Sequence, residues 1–240
     1  MRVAVLSDIH SNLVALDAVL QDAGAVDAVW HLGDVVGYGP DPDAVVARLR
    51  ERQAVGVRGN HDAAALGGPE IDWFNPEARA AAEWTRTTMS PETRTWLDGL
   101  PLRLEIGEIS LVHGSPRDPL REYVTDRDRA SANIDLLTTR HGLHGHTHVP
   151  VAWIATPDRV ALIHGRPGLG MELAPNRVLF NPGSVGQPRD GDPRASYLTI
   201  DLPGGRVTWH RVAYDVRPVQ TAIRAAGLPG RLADRLSVGA

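Results

Sequence analysis

Carboxylate, amide and imidazole side chains gather in five short blocks of this chain: Asp8-Ile9-His10, Gly33-Asp34, Gly59-Asn60-His61-Asp62, His113-Gly114 and Gly145-His146-Thr147-His148. Together they make a donor set for divalent cations. Side chains of an extended segment alternate faces, so Asp8 and His10 can reach one cation together. His146 and His148 can do the same, or can each serve one of two adjacent cations. Oxygen and imidazole donors suit Mn²⁺, Fe, Co²⁺, Ni²⁺ or Zn²⁺, and so many histidines do not suit Ca²⁺ or Mg²⁺ alone. Gly33, Gly59, Gly114 and Gly145 permit tight turns beside the donors. Taken singly, Asp-x-His and Gly-Asp are weak signals, because most instances are turns. Their force is joint: all five blocks occur in order, each behind an apolar run.

The elements that must position these blocks are legible in the first 60 residues. Val3 to Leu6, Ala28 to Leu32 and Ala54 to Val57 read as short buried strands. Between them, Asn12 caps a helix carrying Leu13, Leu16, Val19 and Leu20, and Asp41-Pro42 opens a helix from Asp43 to Arg50. Strands alternating with helices predict parallel βαβ units, whose strand carboxyl ends converge on one crevice. Asn75-Pro76 and Ser90-Pro91 open two helices, near 76–89 and 91–98, in a segment holding Trp73, Phe74, Trp84 and Trp96. Packing is the plain role of these aromatics, with a lid or dimer surface as the alternative. The second half predicts three hairpins: 102–106 with 108–112, 151–155 with 160–163, and 196–201 with 206–212 around Pro203-Gly204-Gly205. A final helix is expected from Val216 to Ala226. The fold class expected is α/β, with two mixed sheets packed together and flanked by helices. One domain over 1–240 is expected, with a helical insertion at about 66–100.

Composition narrows the chemistry. The chain has 240 residues, no cysteine, and 25 basic residues, every one an arginine. Disulfides, thiol nucleophiles, thiolate zinc sites and iron–sulfur clusters are therefore excluded. Schiff-base chemistry and the lysine-containing phosphate loop are excluded too. The net charge of −4 argues against nucleic acid or an anionic membrane as partner. The first apolar run stops at Asp8, too short for a signal-peptide core, and no stretch approaches the ~20 apolar residues of a membrane span. A cytoplasmic location is expected.

The five ordered blocks resemble those of the calcineurin-like metallophosphoesterase superfamily. The later segment Asn181-Pro182-Gly183-Ser184-Val185-Gly186-Gln187-Pro188-Arg189 resembles its small bacterial and archaeal phosphodiesterase-like branch, which includes proteins similar to diadenosine polyphosphate hydrolases. The resemblance implies a four-layer αββα fold and two divalent metal ions, Mn²⁺ foremost, with Fe, Ni, Co and Zn as alternatives. It implies one ion on Asp8, His10 and His148, a second on Asn60, His113 and His146, and Asp34 bridging them. Val112 stands where the family usually has a glycine or small residue before its single histidine. The resemblance further implies phosphodiester hydrolysis by a metal-bridging hydroxide. His61 would protonate the leaving group or stabilise the transition state, and Asp62 would orient His61. Alternatives on the same site are a diadenosine polyphosphate hydrolase, a protein or small-molecule phosphomonoesterase, and a non-catalytic scaffold. The expected partner is a small phosphorylated or nucleotide substrate, and the tryptophan-bearing segment leaves a homo-oligomer open. With no lysine, extra phosphate contacts fall to arginine: Arg58, Arg117, Arg121 and Arg189 are the candidates. Asn181 and Ser184 are read as lining the site or shaping a turn, with the turn-shaping role favoured. His31, His141, His144, His164 and His210 are read as structural or surface residues.

Overall fold

The computed structural model describes residues 1–173, 175–202 and 205–240. Its first strand, β1 (Arg2–Leu6), shows how the layers arise. Val3 and Val5 face a second sheet, whereas Ala4 and Leu6 face helices. Both faces are covered, so the strand reads as an unbroken apolar run. The helix α1 (Leu13–Ala23) is capped by the Asn12 side chain, and α2 (Pro42–Glu51) starts with proline in its first turn. Between and after them lie β2 (Ala28–His31) and the two-residue β3 (Val55–Gly56). β1, β2 and β3 are parallel, as the alternating pattern predicts.

Next comes a helical stretch: α3 (Asn60–Leu66), a 3-10 turn over Pro69–Trp73, α4 (Pro76–Thr88) and α5 (Pro91–Asp98). Asn75 and Ser90 cap α4 and α5 through their side chains, as their sequence position predicts. Trp84 and Trp96 pack into apolar clusters, but Trp73 remains 53% exposed.

The remaining strands are β4 (Arg103–Ile106), β5 (Ile109–Val112), β6 (His141–Leu143), β7 (Pro150–Ala155), β8 (Val160–His164), β9 (Gly170–Glu172), β10 (Val178–Pro182), β11 (Ala195–Asp201) and β12 (Arg206–Val212). The helices among and after them are α6 (Arg127–Asp135), α7 (Val216–Ala225) and α8 (Gly230–Asp234). The three expected hairpin pairs are all antiparallel neighbours. Of the turn expected in the last, Pro203-Gly204 lies outside the described residues.

Two six-stranded mixed sheets result, ordered β3-β2-β1-β11-β12-β9 and β4-β5-β6-β10-β7-β8. Val3, Val5, Leu32, Leu198 and Trp209 from one meet Leu111, Leu143 and Phe180 from the other. Helices α1 and α2 cover the outer face of the first sheet, and Ala130 and Ile134 of α6 cover Val151, Trp153 and Leu179 of the second. This is the four-layer arrangement expected. No helix among the described residues is long and apolar enough to cross a membrane.

Candidate metal centre

The loops that follow β1, β2, β5 and β6 meet at one end of the two sheets. Backbone bonds zip them together: Asp8 N–H donates to Gly33 O, His10 N–H to Asp34 O and Gly145 N–H to His113 O, at 3.1, 2.9 and 2.8 Å. Several turns here require glycine, Gly59 and Gly186 among them. A Cβ at Gly59 would lie 2.1 Å from Asp34 Oδ1, and one at Gly186 would lie 1.8 Å from Ile9 O.

The chain does not leave β1 extended. Asp8, His10 and Ser11 all have φ near +50°, and Asp34, His146 and His148 are also left-handed. Alternation along a strand is therefore not what brings Asp8 and His10 together. A tight left-handed turn does so, and a similar turn serves His146 and His148. Such backbone costs about 1–2 kcal/mol per residue for an L-amino acid, and strain of this kind concentrates at functional sites.

Two groups of donors form. Ligand atoms of Asp8, His10, Asp34 and His148 lie within 4.8 Å of one another, as do those of Asp34, His113 and His146. All are buried, and Asp34 belongs to both groups. Asn60 joins the second, with Oδ1 2.9 Å from His113 Nε2.

Hydrogen bonds fix which imidazole atoms face inward. Nδ1–H of His10 donates to Val36 O at 3.2 Å, and Nδ1–H of His148 donates to Gln187 O. Their Nε2 lone pairs then face each other at 3.2 Å. Nδ1–H of His113 donates to Leu32 O at 2.8 Å, which turns its Nε2 lone pair toward Asn60 Oδ1, His146 Nδ1 and Asp34 Oδ2. Acceptors crowded this way repel unless positive charge lies among them, and a histidine tied to a backbone carbonyl through one nitrogen presents the other to a metal. The residues thus fit divalent cations.

The electrostatics agree. Burial disfavours a charged His113, yet Asp34 and then Asp8 outweigh it and raise its pKa to about 9. Burial likewise opposes ionisation of Asp34, but His113 and His61 hold it well below the usual carboxylate range. His10 and His146 are driven well below the ordinary histidine value, chiefly by burial. The group of sites calls for a cation and holds its carboxylates ionised.

His61 stands beside the donors on the first turn of α3. Its ring lies 4.3 Å from Tyr38 and 4.4 Å from Phe74, centroid to centroid, and 4.9 Å from His10. Burial lowers its pKa to about 4, with Asp34 opposing and Arg189 assisting. The expected Asp62–His61 contact is absent. Both carboxylate oxygens of Asp62 accept backbone N–H bonds, from Val36 at 3.0 Å and Gly59 at 2.9 Å, and His61 Nδ1 has no partner among the described residues. Consecutive helical residues point ~100° apart, so Asp62 ties loops together rather than orienting His61. Burial and the Asp34 charge raise Asp62 to about 7.

The four candidate arginines separate. Arg58 bonds the Asp98 carbonyl at the end of α5, and Arg117 pairs with Glu122, so both are occupied away from the donors. Arg189 donates to Gln187 Oε1 at 3.0 Å and Tyr38 Oη at 3.3 Å, beside His10 and His61. Arg121 lies 3.2 Å over the Trp73 ring and lines a cleft that also includes Asn60 and His146.

Sequence reasoning missed Tyr38, Phe74 and Tyr123 as neighbours of the site; Tyr123 stacks on His146 at 3.7 Å. The glycines flanking Tyr38 were the one local signal. Asn181 proves central to loop positioning, donating to Gly145 O at 2.7 Å and Thr147 Oγ1 at 3.1 Å. Ser184 donates to Asp8 O at 2.8 Å.

Comparison with known proteins matches this geometry. A family model for the calcineurin-like phosphoesterase superfamily domain matches residues 1–205. The chain belongs to that superfamily and is a metal-dependent phosphoester hydrolase. It is 44% identical to a metallophosphoesterase from Sphaerobacter thermophilus of known structure, covering 100% of this chain and 99% of that one, with a TM-score of 0.90. It is 35% identical to an uncharacterized protein of Methanocaldococcus jannaschii, over 99% of this chain and 98% of the relative. The phosphodiesterase YfcE of Escherichia coli is 29% identical over 84% of this chain and 88% of its own.

Proposed function

We propose that this protein is a phosphodiesterase that works through two divalent cations, Mn²⁺ foremost. Asp8, His10 and His148 would hold one cation, Asn60, His113 and His146 the other, and Asp34 would bridge them. The observation that carries the reading is that Asp34 belongs to both donor groups, which suits a shared ligand between two adjacent ions. Such a pair supplies a clamp for phosphoryl oxygens and a water activated near neutral pH. Asp8 and Asp34 are the only carboxylates in the two groups, so the loaded centre keeps positive charge and attracts a phosphate anion.

The chain's own residues do the rest. His61, wedged between Tyr38 and Phe74, is placed to donate an N–H bond to the phosphoryl group as charge develops. Arg189, held by Tyr38 and Gln187, adds a fixed cation on the same side. Asp62 holds the backbone of Val36 and Gly59 and thereby the loops that carry Asp34 and Asn60. The similarity to the phosphodiesterase YfcE supports a diester over a monoester.

The test is hydrolysis of bis(p-nitrophenyl) phosphate, p-nitrophenyl phosphate and diadenosine tetraphosphate by chelator-stripped protein, with and without Mn²⁺. Metal-dependent turnover with the diester preferred is expected. Preference for the tetraphosphate would replace the diester by the polyphosphate reading, and folded, metal-loaded protein without turnover would favour a scaffold.

A further inference from the structure

Beside Asn60 and His146 opens a cleft of about 350 Å³, walled by Trp73, Phe74, Leu120, Arg121 and Tyr123, with Glu70 in its lining. We infer that this cleft seats a nucleobase, so that the substrates are nucleotide phosphoesters whose phosphate lies on the metal centre. The inference rests on the phosphodiesterase reading above and narrows its substrate class.

Three observations carry it. First, Trp73 and Tyr123 are 53% and 45% exposed, and they are the only exposed Trp, Tyr or Phe side chains among the described residues. Both line this cleft, where a flat ring would cover them. Base–aromatic stacking is the usual way proteins hold unpaired bases, at roughly 1–3 kcal/mol per base. Second, the walls are braced in place. Tyr123 is stacked on His146 with an interplanar angle of 24°, and Phe74 lies against His61. The Arg121 guanidinium covers the Trp73 ring and has no carboxylate partner among the described residues. Third, Glu70 borders the same cleft, and its carboxylate takes part in no ion pair or side-chain hydrogen bond among the described residues. A carboxylate facing the cleft accepts N–H groups from whatever occupies it. The amino and ring N–H groups of a base supply them, whereas a plain alkyl or phenyl ester has none.

The cleft abuts His146 and Asn60 directly, so a base within it is continuous with a phosphate held at the donor cluster. Its volume falls at the lower end of the ~300–1,000 Å³ of small-molecule sites.

The experiment compares guanosine 5′-monophosphate with ribose 5-phosphate by calorimetry on the Mn²⁺-loaded protein. The two probes share a phosphate and a sugar and differ in the base. The expected result is at least ~10-fold tighter binding of the nucleotide, as one stacked base supplies. Trp73→Ala, Tyr123→Ala and Glu70→Gln should each shrink that ratio severalfold. Equal affinity of the wild-type protein for both probes overturns the proposal without recourse to any variant. So does a ratio that survives both aromatic substitutions in folded protein. Hydrolysis of bis(p-nitrophenyl) phosphate, run in parallel, separates the two ideas. Turnover without base preference sinks only the cleft assignment. Base preference without turnover sinks only the phosphodiesterase reading.

Discussion

Replacing Asn181 by alanine should loosen the metal centre without touching a donor. Asn181 is fully buried, donates to Gly145 O and Thr147 Oγ1, and accepts the Gly183 N–H at 2.8 Å. Gly145 and Thr147 flank His146. In the Ala variant the Gly183 N–H loses its partner, at about 1–3 kcal/mol for a buried donor. The Gly145 carbonyl keeps only its bond from Thr147 N–H, and losing the second adds about 1 kcal/mol. The expected loss of stability is about 3 kcal/mol. Because the loop carrying His146 and His148 is released, metal affinity should fall ~10–100-fold, the usual effect of removing a group that orients ligands. Urea unfolding in chelator gives the first quantity, and calorimetric titration with Mn²⁺ gives the second. Asn181→Asp keeps the Gly183 bond but sets a carboxylate against the Gly145 carbonyl, so it should be no milder. A stability change below about 0.5 kcal/mol together with unaltered metal affinity would refute the role given to Asn181.

Other perturbations bear on separate parts of the site. His61→Ala should lower turnover by ~10²-fold or more while the metal content per chain stays unchanged; near-normal turnover removes His61 from the mechanism. His31 is buried, its ring nitrogens have no partners among the described residues, and burial lowers its pKa from 6.5 to about 4. Between those values the unfolded chain takes up a proton that the folded chain refuses, so stability is complete above pH 6.5 and falls as the pH drops toward 4, by up to about 3 kcal/mol. His31→Leu should remove that part of the acid loss in urea unfolding at pH 7.5 and 4.5, and identical losses in both proteins would contradict it. Arg58→Ala should cost about 1 kcal/mol of stability through the lost bond at the end of α5 and leave KM unchanged, whereas Arg189→Ala should raise KM. Steady-state kinetics on the two variants tests the assignment of one to structure and the other to the site.

Much of this architecture was legible because apolar runs and polar ends carry it. Val3–Leu6, Ala28–Leu32 and Ile109–Val112 announce buried strands, and the blocks behind them end up together because parallel strands finish on one side. Of the features that were not legible, four have a plain physical reason. Asn60, His61 and Asp62 begin a helix three residues after a strand of only two residues, so the block looks like a loop. Helix α6 buries only Ala130, Asn133 and Ile134, too few for a periodic signal. The left-handed turns at Asp8 and His10 occur at residues that seldom adopt them, and the extended-chain expectation reached the right convergence by the wrong geometry. The direction of a long side chain depends on its tertiary neighbours: Arg58 and Arg117 were claimed by Asp98 and Glu122, and Asp62 by two backbone N–H groups.

The most direct test of two cations sharing Asp34 is a titration of chelator-stripped protein with Mn²⁺ while bis(p-nitrophenyl) phosphate hydrolysis is followed. Activity should rise until two equivalents per chain are bound and then level off, with Asp34→Asn abolishing both the rise and the second equivalent. Full activity at one equivalent, or undiminished activity in excess chelator, would contradict a dinuclear centre.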